Sequence, residues 1–386
     1  MTEPSPLGVY VHWPYCARIC PYCDFNVFRA KGREGEATGL ARAIVADLSA
    51  QRELSGAREL VSVFFGGGTP SLMEPAAVGE IVAAARRLWT PRDDLEVSLE
   101  ANPTDAEADR FAALADAGVN RLSLGLQSLD DAALRFLGRN HDAAEGLRAA
   151  EAAAKAFPRL SVDLIYALPD QTPGAWRAEL EAAVALGAEH VSPYQLTIEE
   201  GTAFARAVRR GRFAPPDDEA GADLYDTTQA VLEQHGFHAY EVSNHARGEG
   251  ARSRHNLVYW RGWDYVGVGP GAHGRVTLGG AREATEAADR PADYIRRVGE
   301  TGVGFASRET LTPAEAAAER LLSGLRIADG VPFADLAALG LEPGHATVQH
   351  LVELGLVTAD AGRLQATPDG RRVLDRVTAE LALANG

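Results

Sequence analysis

The chain has 386 residues, of which 46% are apolar and 24% charged, as in a folded protein whose core is large enough to do without disulfides. Its 54 acidic residues outnumber 38 lysines and arginines, giving a formal net charge of -16. This charge disfavours general DNA or RNA binding, which needs clustered cations, so we expect no nucleic-acid partner. The sequence has no run of ~18 apolar residues and no basic leader before an apolar run, so we expect a cytoplasmic protein.

Short apolar runs alternate with Ala-rich amphipathic segments in the first half of the chain. Runs rich in Val, Ile, Leu, Phe and Tyr predict six strands, at residues 8–13, 60–65, 95–100, 119–124, 160–165 and 190–196. The segments between them predict helices, at residues 39–51, 76–88, 105–117, 143–157 and 175–186. Alternation of this kind gives parallel strands, and a full eight-unit barrel typically takes ~250 residues. We therefore predict an α/β fold with a partial (β/α)6 TIM-like barrel, whose chemistry lies at the carboxyl ends of the strands.

The pattern loosens after residue 197. The barrel is predicted to continue into an extension with a helix, a strand and a Gly-rich aromatic segment, at residues 217–235, 238–242 and 259–274. The last part predicts three helices and a hairpin, at residues 313–325, 347–354, 369–383 and 357–366. We expect a first domain over residues 1–275 and a smaller helical, winged-helix-like domain over residues 276–386. A structural cap is favoured over nucleic-acid binding for the smaller domain because the chain is acidic.

All three cysteines of the chain lie within eight residues, directly after the first predicted strand, at Cys16, Cys20 and Cys23. An odd number at this spacing does not suit a disulfide framework. Three thiolates can hold three irons of a four-iron (4Fe-4S) cluster. The fourth iron is then free to bind the amino and carboxylate groups of S-adenosylmethionine (SAM), whose sulfonium bond an electron from the cluster can cleave. The alternative is a structural zinc site, with His12 as the fourth ligand.

The second predicted strand ends in Gly66-Gly67-Gly68-Thr69-Pro70, a loop whose glycines let the backbone approach a ligand closely. Its position one strand after the cysteines favours a role in binding SAM. Further polar residues follow the later strands and are expected to line the same rim, at Glu100, Gln127, Arg139, His141 and Asp163.

The cysteine spacing resembles the Cys-x₃-Cys-x-aromatic-Cys signature of the radical SAM superfamily, with Tyr22 as the aromatic residue near the SAM adenine. The order of the motifs resembles the branch that contains oxygen-independent coproporphyrinogen III oxidase and the HemW heme chaperones. This resemblance implies SAM contacts at Tyr10, Tyr22, Gly67, Gly68, Thr69, Glu100, Gln127, Arg139 and Asp163. Within that set, Arg139 would meet the SAM carboxylate, and Glu100 and Asp163 would hold the ribose or the methionine amine.

Three departures from the oxidases favour the heme-chaperone side of this branch. Phe25 stands where the oxidases carry a fourth cysteine, and seven residues precede the first predicted strand, where the oxidases have a longer extension. The segment from His255 to Trp260 matches the HNxxYW motif of the heme chaperones, so the resemblance implies heme contacts at His255, Asn256, Tyr259 and Trp260. A neutral imidazole is a common axial ligand of heme iron. A further, small departure is Ala167, which stands where relatives often have glycine in the motif of the fifth predicted strand.

The resemblance implies a protein that carries a 4Fe-4S cluster and SAM, binds heme and delivers it to a heme-requiring recipient such as a respiratory enzyme. A reducing protein as electron donor, a homodimer and a peripheral membrane contact are further expectations. Two other functions stay open at this stage. One is radical decarboxylation of coproporphyrinogen III, which Phe25 disfavours, and the other is a regulatory protein that keeps the barrel as a scaffold.

Overall fold

The computed structural model describes residues 6–360 and 362–383. The strands of this part are β1 (Pro6–Trp13), β2 (Tyr15–Cys16), β3 (Phe28–Arg29), β4 (Glu59–Gly67), β5 (Thr90–Ala101), β6 (Arg121–Gln127), β7 (Arg159–Tyr166), β8 (His190–Gln195), β9 (His238–Glu241), β10 (Asn244–Ala246), β11 (Asp264–Val268), β12 (His273–Leu278), β13 (Ala281–Ala287), β14 (Phe305–Thr310), β15 (Val331–Pro332), β16 (Val357–Thr358) and β17 (Arg363–Ala366).

The helices of the same part are α1 (Glu34–Ser55), α2 (Pro75–Leu88), α3 (Asp105–Ala108), α4 (Phe111–Asp116), α5 (Asp131–Phe136), α6 (Ala143–Ala156), α7 (Pro173–Val184), α8 (Ala203–Arg209), α9 (Asp218–Gln234), α10 (Arg254–Trp260), α11 (Pro291–Thr301), α12 (Pro313–Gly324), α13 (Ala346–Glu353), α14 (Pro368–Arg372) and α15 (Leu374–Ala382). In the described chain, no helix is both long and apolar enough to cross a membrane.

Six parallel strands form the centre of a large open sheet, in the order β1, β4, β5, β6, β7, β8. They correspond to the six strands predicted from the sequence, so the partial barrel is confirmed. Beyond β1 the sheet continues through parallel β11 into the antiparallel strands β12, β13 and β14, and beyond β8 it ends with antiparallel β10 and β9.

The two faces of this sheet differ in chemistry because side chains alternate along each strand. On β1, Leu7, Val9 and Val11 are fully buried in the apolar core that the outer helices cover. The opposite face of β5 to β8 is polar at every second position, with buried residues at Glu96, Ser98, Arg121, Ser123, Ser161, His190 and Ser192. The barrel interior is therefore a polar chamber within an apolar shell.

Two predicted helices are each divided in two. Residues 105–117 form α3 and α4. The side chain of Glu107 accepts a hydrogen bond from Asn102 N, and Arg110 Nη2 donates to Met73 O at 2.6 Å, so contacts with other segments hold both sides of the break. Residues 369–383 form α14 and α15. A Cβ placed on Gly370 would lie 1.8 Å from Leu356 O, so a close backbone approach fixes α14 apart from α15.

A second apolar cluster lies in the C-terminal part of the chain, where α12, α13 and α15 surround the small sheet of β15, β17 and β16. Its buried residues run from Leu321 to Leu381. This arrangement of helices and hairpin confirms the smaller helical, winged-helix-like unit. The division at residues 275 and 276 stays a prediction, and the sheet places that position within β12, whereas the second cluster begins at Leu321.

Candidate functional site

A cavity of about 790 Å³ lies within the barrel and reaches the loops at the carboxyl ends of its strands. Most of the residues that line it come from the loop after β1, the loop after β4, the polar face of β5 to β8, and α10. All sixteen cofactor-binding and metal residues predicted from the sequence border it: Tyr10, Cys16, Cys20, Tyr22, Cys23, Gly67, Gly68, Thr69, Glu100, Gln127, Arg139, Asp163, His255, Asn256, Tyr259 and Trp260. His141 is absent from the lining, and its Nε2 pairs with Leu126 O at 3.1 Å.

The three cysteines lie on one short loop at the wall of the cavity, and all are free thiols. Cys16 is buried, and burial raises the pKa of its thiol to about 11. A thiolate there needs a nearby cation, and metal binding would supply one while releasing the proton. Among the described residues, no three Cys, His, Asp or Glu side chains are grouped closely enough to hold a single metal ion. A 4Fe-4S cluster does not need that grouping because each thiolate binds its own iron.

The glycine loop after β4 packs directly against the chain that leads into the cysteines. Gly68 N donates to Trp13 O at 2.7 Å, and a Cβ on Gly68 would lie 2.8 Å from the carbonyl carbon of Pro14. Gly67 has φ +106°, and a Cβ there would lie 2.5 Å from the His12 ring. These positions leave no room for a side chain, so the loop holds its backbone close to the wall where the cysteines lie.

Arg139 connects three parts of the wall beside the cysteines. Its Nη1 donates to Cys20 Sγ at 3.3 Å, and its Nη2 donates to Asn102 Oδ1 at 2.5 Å and to Gly125 O at 3.1 Å. Asn102 Nδ2 in turn donates to Thr69 Oγ1 at 3.1 Å. The Nε of Arg139 is buried and has no partner in the described chain. A fixed cation with an unsatisfied donor beside the cysteine loop suits a carboxylate ligand.

Two acidic residues, Glu100 and Asp163, face the cavity from β5 and β7. Burial, together with the charge of Asp163, raises the pKa of Glu100 to about 8, although Gly67 N donates to its Oε2 at 3.2 Å. Burial likewise raises the pKa of Asp163, whose carboxylate accepts from Ser123 Oγ at 2.8 Å. The pair can therefore accept and donate hydrogen bonds at neutral pH.

The short helix α10 enters the interior of the barrel near the starts of β1 and β4. A Cβ on Gly8 would lie 3.1 Å from the side chain of Val258, so the helix packs tightly against β1. The carboxylate of Glu96 accepts from Arg254 N at 3.0 Å and from His255 N at 3.1 Å, the first two amides of α10. Burial alone would raise the pKa of Glu96, but Arg121 and Arg159 hold it below its ordinary value, so an ionised cap fixes the helix.

His255 on α10 is buried and both of its ring nitrogens have partners. Nδ1 pairs with Ser62 Oγ at 2.9 Å and Nε2 with Tyr259 Oη at 2.7 Å. Burial lowers the pKa of His255 to about 3, so the imidazole is neutral. The ring stacks on Phe64 with centroids 4.8 Å apart. Coordination of an iron by His255 would thus require one of these two hydrogen bonds to be exchanged.

Several cavity residues were not identified from the sequence: Asn102, Arg121, Ser123, Ser192, Tyr194, Glu241 and Arg326. Four of them lie on β6 and β8, namely Arg121, Ser123, Ser192 and Tyr194. Polar and apolar residues alternate along these strands, so the period of two in the sequence indicates a polar interior face. Glu241 and Arg326 come from β9 and the turn after α12. Nothing local in either segment marks them.

Comparisons with known proteins agree with this geometry. The Radical SAM superfamily model matches residues 10–183, and the HemN C-terminal domain model matches residues 311–373. Heme chaperone HemW of Mycobacterium tuberculosis is 37% identical over 98% of this chain and 95% of its own length. The chain belongs to the HemW-type branch of the radical SAM superfamily. Radical S-adenosyl methionine domain-containing protein 1, mitochondrial, of Bos taurus is 43% identical over 97% of this chain and 87% of its own.

The HemW-type chain shares its fold with a solved structure of coproporphyrinogen III oxidase (HemN) from Escherichia coli, which is described as a radical SAM enzyme. The two match with a TM-score of 0.81 and 22% identity, over 98% of this chain and 90% of that one. Membership of the superfamily implies a 4Fe-4S cluster and SAM. The free thiols and the close-packed glycine loop on one cavity wall fit those two groups.

Ala167, at the position where the sequence resemblance implies glycine, has φ +60°. L side chains adopt this left-handed region at a cost of roughly 1–2 kcal/mol, so glycine would suit the position better.

Proposed function

We propose that this HemW-type chain holds a 4Fe-4S cluster on Cys16, Cys20 and Cys23, binds SAM beside it, and carries heme to a heme-requiring protein such as a respiratory enzyme. The observation that carries the proposal is the shared cavity, whose wall includes both the cysteine loop and α10. Two relatives named heme chaperone, from Mycobacterium tuberculosis and Bacillus subtilis, support the heme part at 37% and 33% identity.

In this proposal the SAM residues have separate tasks. The cluster, once bound, supplies the electron that SAM chemistry requires. Arg139 receives the SAM carboxylate, Glu100 and Asp163 hold the ribose or the methionine amine, and Tyr22 lies near the adenine. Tyr10, Thr69 and Gln127 complete the wall with the glycine loop. The unsatisfied Arg139 Nε and the raised pKa values of both acids support these roles.

The heme residues are proposed on two grounds. The cavity presents apolar and aromatic surface at Phe64 and at Phe25, whose side chain is 60% exposed. The α10 residues His255, Asn256, Tyr259 and Trp260 border the same space, and His255 is neutral, as an axial ligand must be. His255 is the proposed ligand after release of Ser62 or Tyr259.

A spectral titration of anaerobically reconstituted protein with heme, with and without SAM, tests this function. Heme should bind with a stoichiometry near one and a defined Soret band. The reference protein carries Cys16→Ala, Cys20→Ala and Cys23→Ala, and it should lose the brown absorbance of the cluster. Stoichiometric zinc without sulfide in the wild type would contradict the cluster, and failure to bind heme would contradict the chaperone function.

The oxidase alternative is tested by incubating reduced, cluster-replete protein with SAM and coproporphyrinogen III. We expect no protoporphyrinogen, because Phe25 occupies the position of the fourth cysteine. Product formed at a catalytic rate would overturn the chaperone proposal.

A cytoplasmic location, a reducing protein as electron donor, a homodimer and a peripheral membrane contact remain proposals. The names of two animal relatives place those proteins in mitochondria, so the compartment of this chain needs its own localisation experiment.

A further inference from the structure

Arg326 reaches the main cavity from the C-terminal part of the chain, in the turn that follows α12. The turn is anchored to the barrel by its backbone, since Ile327 forms a β-bridge with Glu241 and Ala328 N donates to Tyr240 O at 3.1 Å. The position of the Arg326 side chain is therefore set by the junction between the C-terminal unit and β9.

One edge of the Arg326 guanidinium forms hydrogen bonds with the protein, and the other edge forms none with the described residues. Its Nε and Nη2 both donate to Glu241 Oε1, at 2.8 and 2.5 Å. No described residue accepts a hydrogen bond from Nη1. Because a guanidinium carries five N–H donors in a planar fork, the edge formed by Nη1 and Nη2 can still receive a carboxylate.

Glu241 has hydrogen-bond donors in addition to Arg326. Its Oε2 accepts from Ser243 N at 2.9 Å and from Asn244 Nδ2 at 2.6 Å, and the residue is fully buried. Arg326 can thus share its charge with a second carboxylate without leaving Glu241 unpaired.

Trp260 provides a second observation at the same place. The Arg326 guanidinium lies 4.8 Å from the centroid of its ring, which also borders the cavity. The indole N–H is buried with no acceptor in the described chain. An unsatisfied buried donor is costly, and an acceptor brought by a ligand would relieve that cost.

We propose that Arg326 and Trp260 form a carboxylate subsite of the main cavity, which holds a carboxylate side arm of the bound heme. The inference rests on the proposed heme function. It adds the chemical feature that the protein recognises, an apolar macrocycle with a carboxylate arm. The free edge of a planar guanidinium matches the two oxygens of a single carboxylate.

The test compares heme with its dimethyl ester, in which both carboxylates are blocked. Wild-type protein should bind heme at least about tenfold more tightly than the ester. In the double variant Arg326→Gln/Glu241→Gln two hydrogen-bonded amides replace the ion pair. Its affinity for the ester should be unchanged, and the ratio of the two affinities should fall to about two or less. If the double variant does not fold, Arg326→Lys takes its place, because it keeps a cation beside Glu241. This variant should lower the ratio several-fold.

Arg261 offers a matched control. It pairs with Asp329 at 2.9 Å and lies over the ring of Trp263 at 5.3 Å, but it borders a different cleft. Arg261→Gln should keep the wild-type ratio. The subsite would be overturned if the Arg326 variants kept the wild-type ratio, or if they lost SAM affinity and not heme selectivity. Neither outcome would contradict the proposed binding of heme. Wild-type protein that bound neither heme nor its ester would overturn the proposed function, and the subsite with it.

Discussion

Gly68 is the residue at which the backbone of the glycine loop approaches the chain leading into the cysteine loop most closely. We expect Gly68→Ala to lower SAM affinity by about tenfold and to reduce iron content, because its Cβ would meet backbone of residues 13–15 at less than 3 Å. Isothermal titration and iron analysis measure both effects.

Gly174→Ala is the matched control. A Cβ on Gly174 meets nothing within 4 Å, and the residue lies in α7, so the variant should bind SAM normally. Its free energy of unfolding should stay within about 0.5 kcal/mol of wild type, because Gly174 is exposed in the first turn of α7. Equal SAM affinity in the Gly68 and Gly174 variants would remove the glycine loop from the SAM site.

His255 can be tested against another histidine with the same local bonding. His190 also pairs with a serine and a tyrosine, with Ser161 Oγ at 2.7 Å and Tyr240 Oη at 2.8 Å, but it does not line the cavity. His255→Ala should weaken heme binding by about tenfold or shift the Soret band, because a cavity residue is lost. His190→Ala should lower the thermal stability as much as His255→Ala does, but it should leave the heme spectrum unchanged. Identical heme spectra in the two variants would show that His255 is structural.

The sequence was sufficient for the residues whose chemistry and spacing are local. Cys16, Cys20 and Cys23 lie within eight residues, and the glycine loop is a continuous stretch, so both were found before the structure. Arg326 and Glu241 were missed because their pairing joins segments 85 residues apart. The polar alternation of β5 was present in Glu96-Val-Ser98-Leu-Glu100, yet it was not recognised as an interior face.

Helix α1 packs on α11 around a buried carboxylate, and this contact predicts a pH dependence of stability. Asp47 accepts from Tyr294 Oη at 2.7 Å and from Gly304 N at 3.3 Å. Burial raises the pKa of Asp47 to about 6, whereas in the unfolded chain it is ~3.9. Between those pH values the folded state binds more protons, so this group stabilises below about pH 4 and loses that contribution as the pH rises through 6.

Asp47→Asn should remove this dependence, because the amide does not titrate and its oxygen can still accept from Tyr294 and Gly304. Relative to wild type, the free energy of unfolding of the variant should increase by about 2–3 kcal/mol between pH 4 and 7. Urea titrations at a series of pH values measure it. Asp293→Asn, on the exposed side of α11, is the control and should show no such trend. A difference between variant and wild type that is independent of pH would contradict the raised pKa.

The elements themselves were predictable where the chain repeats a simple pattern. The six parallel strands are apolar runs bounded by turn residues, and their positions followed from that alone. The division of residues 105–117 depends on Glu107 and Arg110 reaching the loop regions after β4 and β5, which no local pattern encodes. The strands β12 (His273–Leu278) and β13 (Ala281–Ala287) contain few large apolar residues, so their hydrophobic signal is weak.

At the scale of the whole molecule, the C-terminal part has an apolar cluster separate from that of the barrel, and its independence can be measured. Leu364 on β17 is fully buried in it, so Leu364→Ala should lower the free energy of unfolding of the C-terminal part by about 2–5 kcal/mol. SAM affinity should stay within about twofold of wild type. Calorimetry and SAM titration give the two readings, and Leu322→Ala, at an exposed leucine on α12, is the control. A parallel collapse of SAM binding would show that the chain unfolds as one unit.

The position of α10 has a kinetic consequence. Since α10 fills the amino end of the barrel and its residues form part of the cavity wall, the described chain leaves the loop end as the route for small molecules. If two ligands use this one entrance, the ligand that binds deeper must bind first and dissociate last. The proposed heme residues lie on α10, deeper than the cysteine loop beside which SAM is proposed to bind, so bound SAM must leave before heme can be exchanged.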